Sequence, residues 1–347
     1  MERKPELDLG RVLAMLAVVA IHVSSGYIYA ESALSPGGMN PAYVLNQAGS
    51  FCVPLFILLS GASLGLRSGK EAPLRFWLSR LKKLGVPYLI WWAVYQFSAI
   101  GFRLSRLGEL PCLAQPLRSL LLGWGAPHLY FVPVLFQLYL LTPLLRPAAR
   151  RFPRASLLLS FLLSLLANWL VDMGIQGYHP IPGLPGSLLW MLFPCWIFYY
   201  VCGLVAGQRM DRLSPMPKGL SPLWLLCALA VLIAYLPHTK ATGSLGSITP
   251  AMLPITLLVF LSCFSLRRPL ERFAPLRRAV SFLAAHSMSV YFCHVLLLEL
   301  WRKVYLPGMH GMLILLILVT LSSLLFAWLL DSLLARVKKA LRRRAAG

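Results

Sequence analysis

Ten apolar runs, each close to twenty residues long, leave this chain few ways to fold. They fall at 9–30, 43–66, 84–102, 128–145, 155–171, 188–208, 222–238, 247–266, 280–301 and 311–334. A helix of about 20 apolar residues crosses ~30 Å of hydrocarbon, and in lipid only helices and closed barrels satisfy their own backbone hydrogen bonds. The 347 residues are 58% hydrophobic and only 13% charged, so a soluble fold would expose large apolar patches. The expected fold class is therefore all-α: a polytopic integral membrane protein with about ten transmembrane helices. No internal repeat or heptad pattern interrupts this reading. It predicts a single membrane domain over 1–347, with a core at about 8–334 and a basic tail at 335–347.

The formal charge of +22 could suit nucleic acid or an anionic surface, and its distribution decides between them. The basic residues stand in short clusters between the apolar runs. With ten crossings, alternate connections share the side of the termini. All but six of the 33 lysines and arginines lie there; the exceptions are Arg103, Arg106, Arg118, Lys240, Arg302 and Lys303. Cytoplasmic loops carry such an excess, so both termini are expected to be cytoplasmic. Membrane lipids, not nucleic acid, are the expected surroundings. A cleaved signal peptide ending near Ala30-Glu-Ser-Ala33 competes for the first run, but that run is long and holds a histidine. The seven cysteines have no metal-type spacing and read as packing residues, with Cys112 in an external loop. Cys195 and Cys202, seven apart on one helix, are too distant for a disulfide.

The first run is the one that points to chemistry. Arg11 and His22 are separated by ten apolar residues. At 1.5 Å per residue they stand ~16 Å apart, about half the hydrocarbon thickness, and about three full turns place them on nearly the same face. Arg11 thus belongs near one membrane face and His22 at depth. A buried ionisable group costs about 2.5–3.5 kcal/mol on insertion scales and normally faces a protein or water-filled interior. The bland alternative is a snorkelling arginine and a histidine bonded to a neighbouring helix.

The ninth run proceeds in the same direction and puts His294 at a similar depth, with Tyr291 one turn before it. A neutral histidine is a competent base near pH 7. A histidine pair could instead bind metal, but no carboxylate or cysteine stands at suitable spacing, so no metal site is expected. Ser60-Gly61 lies at the inner end of the second run without a Gly-x-Ser-x-Gly elbow. Ser60 is better explained as a small residue at a helix crossing than as a nucleophile. His128 opens the fourth run from the outer side, where a polar substrate could meet it. Arg80 and Lys83, three apart, would share one helical face and could hold phosphates.

These segments resemble the membrane acyltransferase 3 family of bacterial O-acyltransferases. The matching pieces are Leu7-Asp8-Leu-Gly-Arg11 with His22, an Arg-x10-His pattern; Val53-Pro-Leu-Phe-Ile-Leu-Leu-Ser60-Gly61; His128-Leu-Tyr-Phe131 leading to Tyr139 and Pro143; and Ser287-Met-Ser-Val-Tyr291-Phe-Cys-His294. They follow the family's order over nearly the whole chain. The short length, read as lacking a periplasmic domain, resembles the enterobacterial-common-antigen O-acetyltransferase branch. The sequence departs at Arg80-Leu-Lys-Lys83, where the family often has Arg-x-x-Arg. Lys83 keeps the charge without the planar fork.

The resemblance implies a multi-pass enzyme of the bacterial plasma (inner) membrane. It would move an acetyl group from cytoplasmic acetyl-CoA, or another acyl-CoA, to a hydroxyl of a cell-surface or lipid-linked glycan. The acyl-CoA is a co-substrate, and no bound cofactor is implied. His22 and Arg11 become the catalytic pair: His22 as base, or as nucleophile through an acyl intermediate, and Arg11 at the CoA phosphates or the thioester. Asp8 would hold Arg11, or merely balance the helix N-terminus. Ser60, Arg80, Lys83, His128, Tyr291 and His294 are candidates for donor or substrate contact. The competing class is a multi-pass transporter or glycan-export protein using Arg11 and His22 as a proton or solute site, which the lack of repeats disfavours.

Overall fold

A computed structural model describes residues 4–28, 40–67, 69, 71–103, 114–175, 186–213, 220–242, 246–304 and 306–344. The Ala30–Ala33 segment, Cys112 and much of the two long polar connections lie outside these residues. Every longer element described is helical. In chain order the helices are α1 (Pro5–Ser25), α2 (Pro41–Gly49), α3 (Cys52–Gly65), α4 (Pro73–Arg80), α5 (Val86–Arg103), α6 (Ala114–Leu122) and α7 (Phe131–Arg151). Then come α8 (Pro153–Ile175), α9 (Ile197–Gln208), α10 (Leu220–Thr242), α11 (Met252–Ser265), α12 (Arg267–Arg272), α13 (Ala274–Trp301) and α14 (Gly308–Arg344).

Eight segments among the described residues are long and apolar enough to cross a membrane, with α2 and α3 counted as one crossing. The chain is thus a polytopic helical membrane protein. Two of the ten expected crossings are not among the eight. The 84–102 run does form α5, but its Tyr, Trp and Gln residues dilute its hydropathy. The 188–208 run is divided: a one-turn helix at Gly186–Leu189, a 3-10 turn at Phe193–Cys195, and the twelve-residue α9. Pro194 lacks the N–H that a continuous helix would require there.

Local sequence explains where the helices begin. Pro5 opens α1, with Glu6 and Asp8 in the first turn, where carboxylates meet the positive end of the helix dipole. The Asn40 side chain caps α2, accepting from the Ala42 N–H at 2.7 Å. Inside α7, Pro143 cannot donate to the carbonyl four residues before it, that of Tyr139. The Trp77 indole N–H supplies the replacement, donating to the Tyr139 carbonyl at 3.2 Å.

By internal contacts the chain forms two compact units, Met1–Cys52 with Leu266–Gly347, and Val53–Ser265. In the first unit α1 packs along α13 and α2, and α13 packs along α14. Val12, Leu270, Val280 and Ala284 form a buried cluster there. In the second unit α3 and α9 cross at backbone contact. A Cβ added at Gly61 would stand 2.3 Å from the Tyr200 carbonyl oxygen, and one at Gly203 would stand 2.0 Å from that of Leu58. Gly65 and Gly207 meet the facing backbone in the same way. Two small-xxx-small stripes thus interlock. Ser60 precedes Gly61 of this stripe, and its hydroxyl has a partner described below. The six described cysteines are unbridged.

Candidate functional site

In the first unit α1 carries an ionisable group near each end. At its start Arg11 Nη1 donates to Asp8 Oδ1 at 2.5 Å. The Asp8 side chain is almost wholly buried while that of Arg11 is one-third exposed. The spacing of three residues puts both on one face, so a buried carboxylate holds a guanidinium that still reaches outward.

In the last turn of α1, His22 meets His294 of α13, with ring centres 5.1 Å apart and planes tilted by 50°. The equal depth expected from the two runs is thus matched by contact between the rings. His294 is fully buried. Its Nδ1 lies 2.8 Å from the Tyr291 carbonyl and 3.2 Å from that of Val290. Carbonyls only accept, so Nδ1 carries the proton and Nε2 holds the lone pair of a neutral ring. The Tyr291 ring is 6.2 Å from that of His294, centre to centre.

The turn that bears His22 is fixed from three directions. Helix ends leave their last carbonyls unmatched. Arg302 Nη2 donates to the His22 carbonyl at 3.2 Å, and Asn46 Nδ2 to the Ile21 carbonyl at 3.1 Å. Tyr27 donates its hydroxyl to the Leu306 carbonyl at 2.7 Å. Arg302 is itself held by Glu299 at 2.8 Å. Sequence reasoning placed Arg302 only in the charge count and did not single out Asn46. No local signal marks either residue, because the apolar run continues past His22 to residue 30 and only the structure ends the helix at Ser25.

The other candidates belong to the second unit. Ser60 Oγ is 2.9 Å from the Tyr139 hydroxyl. The Arg80 guanidinium lies over the Phe76 and Tyr139 rings, at 5.3 Å and 5.9 Å from their centres. Its Nε and Nη2 are buried and, among the described residues, make no hydrogen bond. Lys83 is exposed. The expectation that Arg80 and Lys83 share one face is therefore corrected. Leu81–Gly85 is a π-helical turn, whose wider i→i+5 winding rotates each residue less than an α-helix does. His128 is not at an open surface but 2% exposed, its ring edge-on to Tyr95 at 5.3 Å.

A family model described as an acyltransferase domain matches residues 4–332. Comparison with the curated proteins and with solved structures gave no match. The family match runs through both units and takes in the Arg11–Asp8 pair, the two facing histidines and the Ser60–Tyr139–Arg80 group. The chain belongs to the acyltransferase 3 family and is a multi-pass membrane acyltransferase.

Proposed function

We propose that the protein is an O-acetyltransferase that takes its acetyl group from cytoplasmic acetyl-CoA and delivers it to a hydroxyl of a cell-surface or lipid-linked glycan. The single observation that carries the reading is the contact of His22 with His294 at 5.1 Å, on a helix whose other end holds Arg11 against Asp8.

In this reading a nitrogen of His22 takes the proton of the acceptor hydroxyl. The hydroxyl oxygen attacks the thioester carbonyl, the carbon–sulfur bond breaks, and CoA leaves as a thiolate that takes the proton from the His22 imidazolium, which returns to the neutral base. The products are the glycan acetyl ester and free CoA. His294, with its Nδ1 proton committed to a backbone carbonyl, packs its ring against that of His22. Arg11 stands ~16 Å along α1 from His22. It would bind the anionic part of the donor, with Asp8 fixing the guanidinium. The Arg80 guanidinium, buried with two N–H edges unmatched, has the donors that a phosphate needs. Lys83 would add charge without a fork.

The remaining features of the reading rest on charge and on the resemblance. Ten crossings with both termini cytoplasmic give the basic clusters one common side. The bacterial inner membrane, and the branch that acetylates enterobacterial common antigen, are the setting that the resemblance in motif order suggests. Adding acetyl-CoA labelled in its acetyl group to membranes with and without the protein tests the reading. Label should appear on extracted glycan or lipid-linked saccharide only with the protein present. Donor consumption without ester label on any saccharide would overturn the glycan assignment.

A further inference from the structure

A second polar feature lies away from the residues discussed so far. A cleft of about 530 Å³ runs along one side of α8, bounded by the end of α10 and by Ile248–Pro250. This volume is typical of small-molecule sites. Along α8 its wall is Leu162, Leu165, Leu166 and Trp169, all well exposed. The polar groups lie in the C-terminal halves of the two helices and beyond: Asn168, next to Trp169, and Asp172 of α8, His238 of α10, and Thr249. From Leu162 to Asp172 the wall rises ~15 Å. The cleft is therefore amphipathic along its length, apolar for most of it and polar where both helices end.

Asn168 is the group that makes this more than a gap between helices. It is 4% exposed, and among the described residues its Oδ1 has no hydrogen-bond partner. A buried amide oxygen left unmatched costs about 1–3 kcal/mol, and a ligand O–H or N–H would relieve that cost. Thr249 donates its own hydroxyl hydrogen to the Gly246 carbonyl at 2.9 Å, which leaves its oxygen as a further acceptor. The polar end is thus built to receive donors. The wall below it belongs to helices that bury only 22% of their apolar windows within the protein, against 72% for Pro41–Gly65. Acyl chains are the medium such helix faces meet.

We infer that this cleft is a lipid site. It takes one acyl chain of a glycerophospholipid along Leu162, Leu165, Leu166 and Trp169, and the donor-bearing head of that lipid at Asn168 Oδ1. The chemistry makes a sharp distinction among heads: ethanolamine and glycerol heads carry N–H or O–H donors, and a choline head carries none. Ordinary lipid covering would not make this distinction.

The full chain, purified and placed in bilayer discs, is labelled with phospholipids bearing a photoreactive group on one chain and an ethanolamine, glycerol or choline head. Cross-linked peptides are then mapped by mass spectrometry. Labelling of residues 162–172 and 235–250 should be at least fivefold stronger with the ethanolamine or glycerol head than with choline. Asn168→Leu should erase the head preference. Leu165→Trp, which fills the cleft at an exposed wall position, should reduce labelling at these peptides severalfold while thermal unfolding stays unchanged. Equal labelling by all three heads, or a head preference that survives Asn168→Leu, would overturn the proposal. So would labelling that Leu165→Trp leaves intact. None of these readouts depends on acyl transfer, so the lipid site and the proposed reaction fail or stand separately.

Discussion

Arg302, in the turn that ends α13, donates through Nη2 to the backbone carbonyl of His22 at 3.2 Å. The residue proposed as base is thus held by its own main chain, one helix end stitched to another. Asn46 holds the preceding carbonyl, that of Ile21. An unmatched carbonyl at this depth has little water to turn to, so the two donors determine where the last turn of α1 settles.

Loss of this support should act on turnover more than on binding. Arg302→Gln should lower kcat by about tenfold, since small displacements at a reacting centre carry costs of that order or larger. KM for acetyl-CoA should stay within about twofold. Arg302→Lys keeps a donor and should recover part of the loss. The check is steady-state release of free thiol against acetyl-CoA concentration. A rise in KM with kcat unchanged would place Arg302 on the donor path instead.

The crossing of α3 and α9 leaves no room for side chains. Gly203→Ala puts a carbon 2.0 Å from the Leu58 carbonyl oxygen, and backbone has no rotamer with which to yield. Overpacking of this kind costs about 1–3 kcal/mol. The thermal unfolding midpoint of the purified protein should fall by several degrees. An unchanged midpoint would mean that the helices separate freely at this crossing.

Trp77→Phe keeps the ring bulk and removes the N–H that serves the Tyr139 carbonyl. The acceptor orphaned by Pro143 then has no replacement donor, at a cost of about 1–3 kcal/mol. Adding Pro143→Ala restores a backbone N–H and should return most of the stability. Denaturation of the single and double variants measures the coupling. Simple additivity would refute the exchange.

Glu6 is fully buried in the first turn of α1, with Arg267 Nη1 at 3.7 Å. Removing the arginine alone should be costly, about 3–5 kcal/mol, because it strands a buried charge. Arg267→Met should therefore destabilise the protein strongly, and Arg267→Met combined with Glu6→Leu should be much milder. Measured stabilities that rank the double variant below the single would contradict a compensating pair.

The reach of sequence reasoning follows the physics of each element. The apolar runs and their basic borders are one-dimensional signals, so the helical membrane architecture was legible from them. So was the similar depth of His22 and His294, because two parallel helices of known rise bring residues at equal distances from their starts to equal depth; that their rings meet was not legible, since it depends on which helices pack together. The π turn at Leu81–Gly85 was not legible. No residue pattern in Leu81–Gly85 marks it, and it parts Arg80 from Lys83. Pro194 signals a break, yet the division of the 188–208 run into a short helix, a 3-10 turn and α9 depends on contacts made elsewhere. Donors such as Trp77, Asn46 and Arg302 serve carbonyls far away in sequence, and no local pattern announces them. The burial of His128 against Tyr95 was missed for the same reason.

His22 is the residue on which the proposed chemistry depends. Acyl transfer is to be measured in membranes with labelled acetyl-CoA and native acceptor, comparing the wild-type protein with His22→Ala at equal levels of inserted protein. Removing a general base costs about 10²–10⁴-fold. A fall of at least 100-fold in His22→Ala, with expression and insertion intact, is the expected result. Transfer within a few-fold of the wild-type rate would contradict the assignment of His22 as base or nucleophile.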